Sequence, residues 1–132
     1  YPVRLWEAAD YGVPALGLVY VTSEDTLRQQ PEALSRFLRA ALQGIRYAAE
    51  NRAEAVQIVM KYAGPETDPA HMRFMLDAEL MDAESEVTRQ FGLGWQTAQQ
   101  WQALAQMLKQ HNALGQVDIT SAFTTRILES AK

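Results

Sequence analysis

The chain predicts the mainly helical part of an α/β protein: about six helices with one or two short strands in 132 residues. Three observations carry that expectation. Leu34, Phe37, Leu38, Ala41, Leu42, Ile45, Ala48 and Ala49 recur at the i, i+3, i+4, i+7 spacing of one helical face within Pro31–Asn51. Leu16 to Val21 (LGLVYV) is nearly continuous in apolar residues, as strands buried on both faces of a sheet are. The remaining sequence is punctuated by helix start and stop signals. One apolar strand needs neighbours, and these residues supply few. The expectation is therefore a larger sheet completed by sequence outside this stretch.

In order along the chain, residues 1–9 mix apolar and polar residues with no clean period. On a strand, Val3, Leu5 and Glu7 would share one face, with Arg4 and Trp6 on the other. Asp10-Tyr11-Gly12-Val13-Pro14 reads as a turn, with Gly12 free to take positive φ and Pro14 holding Val13 extended. After the strand, Thr22 or Ser23 can cap a short helix to about Gln30, and Thr22-Ser23-Glu24-Asp25 fits a capping box. Pro31 suits the first turn of the long helix, because its missing N–H would have had no partner there. Asn51 should break that helix. Arg52–Ala63 resumes it, with Val56, Val59, Met60 and Ala63 as the apolar stripe.

Gly64-Pro65 is a stop, and Asp68-Pro69 opens a helix over roughly 69–84 carrying Met72, Met75, Leu76 and Leu80. Gly92 and Gly94 mark a loop around Phe91, Leu93 and Trp95. Thr97 can cap a helix to about His111 with Trp101, Leu104, Ala105 and Leu108 aligned. Asn112–Gln116 is a turn, and Thr120 or Ser121 can start a last helix containing Phe123, Ile127 and Leu128.

Composition narrows the function classes. No run approaches the ~20 apolar residues that cross a membrane. Tyr1 opens the chain with no initiator Met, so a mature, cut or trimmed sequence is expected. The absence of Cys removes disulfides, thiol catalysis and Cys-ligated zinc. The net charge is −4, and residues 66–86 hold seven acids against Arg73 alone. An acidic chain without a basic stripe is a poor partner for nucleic acid, since phosphate neutralisation supplies most of that affinity.

Catalytic and metal-binding patterns are weak. His71 and His111 fall on different predicted helices, with no His-and-acid spacing of a zinc site, so surface or capping roles are expected. The acids Asp77, Glu79, Asp82, Glu84 and Glu86 lack the loop spacing of a calcium site and read as a solvated face or a contact to a basic partner. No nucleophile elbow, triad or phosphate loop is present. No enzyme activity and no cofactor are expected. Among the aromatics, core packing is the default, with Met72, Met75 and Met81 as core filler. Trp6 and Tyr11 are the exceptions: they sit in irregular sequence beside Glu7 and Asp10, where a planar ligand can stack and be hydrogen-bonded. Trp6, Glu7 and Tyr11 are the candidate ligand-binding residues.

An ordered set of segments carries a resemblance: Asp10-Tyr11-Gly12-Val13-Pro14, Leu18 to Glu24, Pro31-Glu32, Phe37 to Ala40, Gly44, Ala48-Ala49, Asn51 and Glu54-Ala55. Later come Gly94-Trp95, Trp101, Gly115 and Asp118 through Phe123. The set resembles the periplasmic solute-binding proteins of ABC importers, in the group taking thiamine-pyrimidine precursors, riboflavin, and sulfonates, nitrate or taurine. The resemblance implies a periplasmic-binding-protein fold of two α/β lobes, of which this chain is the C-terminal portion. Residues 1–14 would return from the second lobe through a hinge, and 15–132 would supply a strand and helices of the first. It also implies capture of a small metabolite between the lobes and delivery to a membrane permease, without covalent chemistry. Its partners are a small-molecule ligand, the ABC permease and the missing N-terminal half of the same protein, in the periplasm or on a lipid anchor outside the cytoplasm. Members binding the thiamine pyrimidine follow the Tyr-Gly-Val-Pro turn with Tyr and Glu. Here the turn continues Ala15-Leu16-Gly17-Leu18, which supplies neither.

The alternative is a helical-repeat interaction module, because Pro31–Ala63 has a helix–turn–helix rhythm. No second copy appears at a fixed period of about 34 residues.

Overall fold

The computed structural model describes residues 4, 6, 8–14, 16–116 and 118–131. Among these it shows seven α-helices and two short 3-10 turns, and no strand. The helices are α1 (Glu24–Gln29), α2 (Pro31–Glu50), α3 (Arg52–Met60), α4 (Pro69–Ala83), α5 (Glu86–Phe91), α6 (Ala98–Gln110) and α7 (Arg126–Ala131).

Local chemistry places the helix ends. Ser23, not Thr22, caps α1: its Oγ accepts from the Thr26 N–H at 3.1 Å, and the two hydroxyls lie 2.9 Å apart. Pro31 occupies the first turn of α2, as its missing N–H predicts. Asn51 ends that helix by donating its backbone N–H and its side-chain amide to the Tyr47 carbonyl, at 2.8 and 3.1 Å. These contacts satisfy a carbonyl orphaned at the helix end. Asp68 caps α4 through the Ala70 N–H, and Thr97 caps α6 in a reciprocal box with Gln100.

Several expectations are corrected. Leu16–Val21 forms no strand; Leu18 is 95% and Val21 88% exposed. A strand is made by ladder bonds to a neighbour, and the described residues contain no second strand to provide them. Of the other expected strand, Val3 and Leu5 lie outside the described residues, while Arg4 and Trp6 belong to no strand. The helix expected over roughly 69–84 is α4, capped at its end by Glu84, but Ser85 then starts a helix, α5, that was not expected. There Thr88 takes the place of the usual Glu or Gln, donating its hydroxyl to the Ala83 carbonyl and accepting from the Ser85 N–H at 2.8 Å. Finally, α7 begins at Arg126. Asp118 instead caps a 3-10 turn over Ile119–Ser121, and Phe123 lies between the two.

The residues divide into two compact units. One comprises Tyr1–Val21 and Gln96–Thr125. In it α6 packs on the Ile119–Ser121 turn, Ala105 is buried, and Trp101 stacks on Phe123 with centroids 5.7 Å apart. Trp101 Nε1 donates to Gln96 Oε1 at 2.9 Å, satisfying the indole N–H.

The other unit comprises Thr22–Trp95 and Arg126–Lys132. Here α2 packs on α7, and α3 on both α2 and α4. Leu42, Val56, Ile127, Leu128 and Ala131 are its buried apolar residues. The Ser130 carbonyl near the end of α7 accepts from Ser35 Oγ at 3.2 Å and Arg39 Nη2 at 3.3 Å. The apolar stripe of α2 is only partly covered: Leu42 is buried, but Phe37 remains 52% exposed.

Candidate ligand-binding site

The segment carrying Trp6 and Tyr11 is shaped by a single tight turn. Ala8–Tyr11 winds as a 3-10 turn, Gly12 follows at φ +69°, and the Val13 N–H closes back on the Ala8 carbonyl at 3.1 Å. Positive φ is accessible to Gly without a Cβ penalty, as Gly12 had suggested. The turn brings the indole of Trp6 and the phenol of Tyr11 together, with centroids 5.4 Å apart and planes tilted by 31°. Trp6 and Tyr11 are 60% and 59% exposed, so the pair forms an open aromatic surface rather than core. Glu7, the third candidate residue, lies outside the described residues. Asp10 is exposed on the 3-10 turn.

This spacing decides how a planar ligand can bind. Inserting a ring between two others requires about 7 Å between their centroids, two carbon contact distances. At 5.4 Å the pair touches itself and offers its outer surface. A contacting aromatic pair contributes about 0.5–1.5 kcal/mol beyond buried area, which holds the surface in shape before a ligand arrives.

Arg4 completes the group. Its guanidinium carbon lies 4.6 Å from the Trp6 ring centroid, a cation–π contact. Residue typing alone did not single out Arg4, yet the signal was present: it shares the two-residue alternation of Trp6, which places both on one side of an extended chain.

The other aromatics divide: Tyr20, Tyr62 and Phe74 are exposed, as are Met75 and Met81, which were expected as core filler. Phe91 stacks on Trp95 at 5.5 Å, and Trp95 and Trp101 are both half-buried, in line with core packing. His71 and His111 are exposed, and His111 forms the C-terminal cap of α6. Among the described residues no cluster of three or more His, Cys, Asp or Glu is placed to hold a metal ion, and no helix is long and apolar enough to cross a membrane.

Among the described residues, three groups have displaced pKa values. Hydrogen bonding from Arg73, then from Arg52, holds Asp77 below the ordinary carboxylate value, against some opposing desolvation. The Thr120 hydroxyl, then its N–H, does the same for Asp118. A hydrogen bond to Glu54, then desolvation, raises the Tyr47 phenol. Each shift moves away from neutrality and fixes the group in its usual charge state, whereas acid–base catalysts are tuned towards the working pH.

A shallow depression of about 430 Å³ in the second unit is lined by Glu32, Ser35, Arg36 and Arg39 of α2 and by Ser130 of α7. It contains no aromatic side chain and is bridged by the Ser35 and Arg39 bonds to Ser130.

With this geometry in place, two comparisons with known proteins say what the chain is similar to. Residues 1–55, which include Arg4, Trp6 and Tyr11, match the family described as NMT1/THI5 like. The chain is also 30% identical, over 131 residues, to the riboflavin-binding protein RibY of Chloroflexus aurantiacus. That alignment covers 96% of this chain and 36% of the relative, so the chain spans about a third of the length of the curated protein it matches. Both findings are consistent with a solute-binding protein of the thiamine-precursor and sulfonate group, the resemblance drawn from the sequence. No solved structure matches the chain.

Proposed function

We propose that this chain is the C-terminal portion of a solute-binding protein that captures a small planar metabolite for an ABC importer. The observation that carries the reading is the exposed Trp6–Tyr11 pair, held in contact at 5.4 Å within the residues that match the family. Exposed aromatic surface costs solvation free energy unless a ligand covers it, and flat heterocycles are the ligands that cover it best. The relative's name, a riboflavin-binding protein, supports a heterocycle of flavin or pyrimidine type. In this reading Glu7 and Asp10 supply polar contacts at the ring edge, and the remaining contacts come from the rest of the protein.

The proposed architecture has two lobes, with residues 1–14 forming the return and hinge. Leu18 and Val21, which are exposed here, are apolar surface that the rest of the first lobe would cover. The partner is a membrane permease, and the location is outside the cytoplasm. Capture involves no covalent step.

The test is a melting assay on the complete protein with riboflavin, the aminopyrimidine alcohol of thiamine and taurine. Mass action predicts a stabilisation of about 2.7 kcal/mol when a ligand is at a hundred times its dissociation constant. A shift with one of the heterocycles supports the reading. Turnover of any compound without a melting shift overturns it.

A further inference from the structure

We infer that the ligand of the Trp6–Tyr11 site is a planar ring bearing an anionic group, a phosphate, sulfonate or carboxylate, and that Arg4 holds that group. This deepens the solute-binding reading above and rests on it.

The observation is the placement of the Arg4 guanidinium over Trp6, 4.6 Å from the ring centroid. A guanidinium carries its five N–H donors in its own plane. One ring face engages only part of that donor set, so the contact with Trp6 leaves further N–H groups available. A pair of such N–H groups matches two oxygens of an oxyanion in parallel hydrogen bonds. Among the described residues the ion pairs use Arg28, Arg52 and Arg73, and none uses Arg4. The indole beneath restrains a side chain that would otherwise sample many rotamers, so less freedom is lost when an anion binds.

Arg4, Trp6 and Tyr11 thus offer two adjacent surfaces of different chemistry. The Trp6–Tyr11 pair offers stacking area, and Arg4 offers positive charge and N–H donors beside it. A neutral ring would use only the first. Asp10, exposed on the following turn, is the group that a neutral or amine-bearing ring would use instead, which makes the rival outcome specific.

The experiment uses matched pairs of ligands that differ by one phosphate: riboflavin against flavin mononucleotide, and the aminopyrimidine alcohol of thiamine against its phosphate ester. Affinities are measured by titration calorimetry on the complete protein. The expected result is that the phosphorylated member of a pair binds about tenfold tighter, the scale of one charge-assisted bidentate contact. The preference should shrink as salt is raised. Arg4→Gln should reduce it to within about twofold, while Arg4→Lys should keep only part of it, having charge without the planar fork. Equal affinity within a pair, or tighter binding of the neutral member, overturns this inference and leaves the solute-binding reading standing. Binding of no member of either pair overturns both.

Discussion

Arg52 of α3 donates from Nη1 to Asp77 Oδ1 of α4 at 2.8 Å, and Arg73 Nε donates to the other carboxylate oxygen at 2.9 Å. One carboxylate thus joins two helices through residues 25 apart in sequence while also making an i, i+4 pair along α4. Because these donors lower the Asp77 pKa, the bonds stabilise the fold above the ordinary carboxylate value. That contribution disappears as pH falls through the lower, folded value. Asp118 adds to the same acid limb. Melting temperature followed from neutral pH into acid should fall less steeply for Asp77→Asn, which should start lower at neutrality. Side chains about two-fifths exposed make the neutral-pH difference small and salt-sensitive. Superimposable acid limbs for the two proteins would refute the assignment.

Gly94 takes φ +82°, and a Cβ placed there would meet Leu128 only at ordinary contact distance, 3.9 Å. Backbone strain, not a clash, therefore sets the cost of a side chain. Gly94→Ala is expected to lose about 1 kcal/mol and Gly94→Asn less, because Asn tolerates positive φ better. Denaturant unfolding measures both. Equal losses would point to crowding instead.

Thr97 Oγ1 accepts from the Gln100 N–H at 3.3 Å, and Gln100 Oε1 accepts from the Thr97 N–H at 2.9 Å. Thr97→Ala should cost about 1 kcal/mol, and Thr97→Ser should recover most of it. Helical content by circular dichroism together with the unfolding midpoint reads the difference.

Leu128 is 7% exposed in the thin core of the second unit. Leu128→Ala should destabilise by roughly 2–3 kcal/mol, the low end for buried leucine, because so much of the surroundings can relax into solvent. A loss under about 0.5 kcal/mol would show that the α2–α7 packing contributes little.

Trp6→Ala and Tyr11→Ala should each remove most of the ligand-induced melting shift, while Tyr11→Phe should keep it if stacking is the dominant contact. Loss of the shift in Tyr11→Phe as well would move the weight onto the phenolic hydroxyl.

The local code of this chain is strong and was legible. Pro31 and Asn51 bound α2 as their chemistry requires, and Asp68 and Thr97 start α4 and α6. Each signal acts over three or four residues, through a cap hydrogen bond or a missing N–H, and needs no distant partner. The misses have the opposite character. Ser85–Thr88 is hard to read as a helix start because Thr replaces the usual acidic or amide partner of a capping box. Leu16–Val21 has the composition of a buried strand, but pairing is a property of two segments.

The candidate site shows the same division. The sequence by itself determined that Trp6 and Tyr11 lie in irregular chain beside Gly12, where aromatics are not needed for a helix face. Only the tertiary structure decided that the two rings touch at 5.4 Å, too close to admit a ring between them, and that Arg4 lies on the indole. Spacing along the chain limits which residues can meet, whereas the angle and distance at which the two rings meet depend on the 3-10 turn over Ala8–Tyr11 that lies between them. That turn sets Tyr11 against Trp6, whose ring also carries Arg4, and so makes one aromatic, cationic surface.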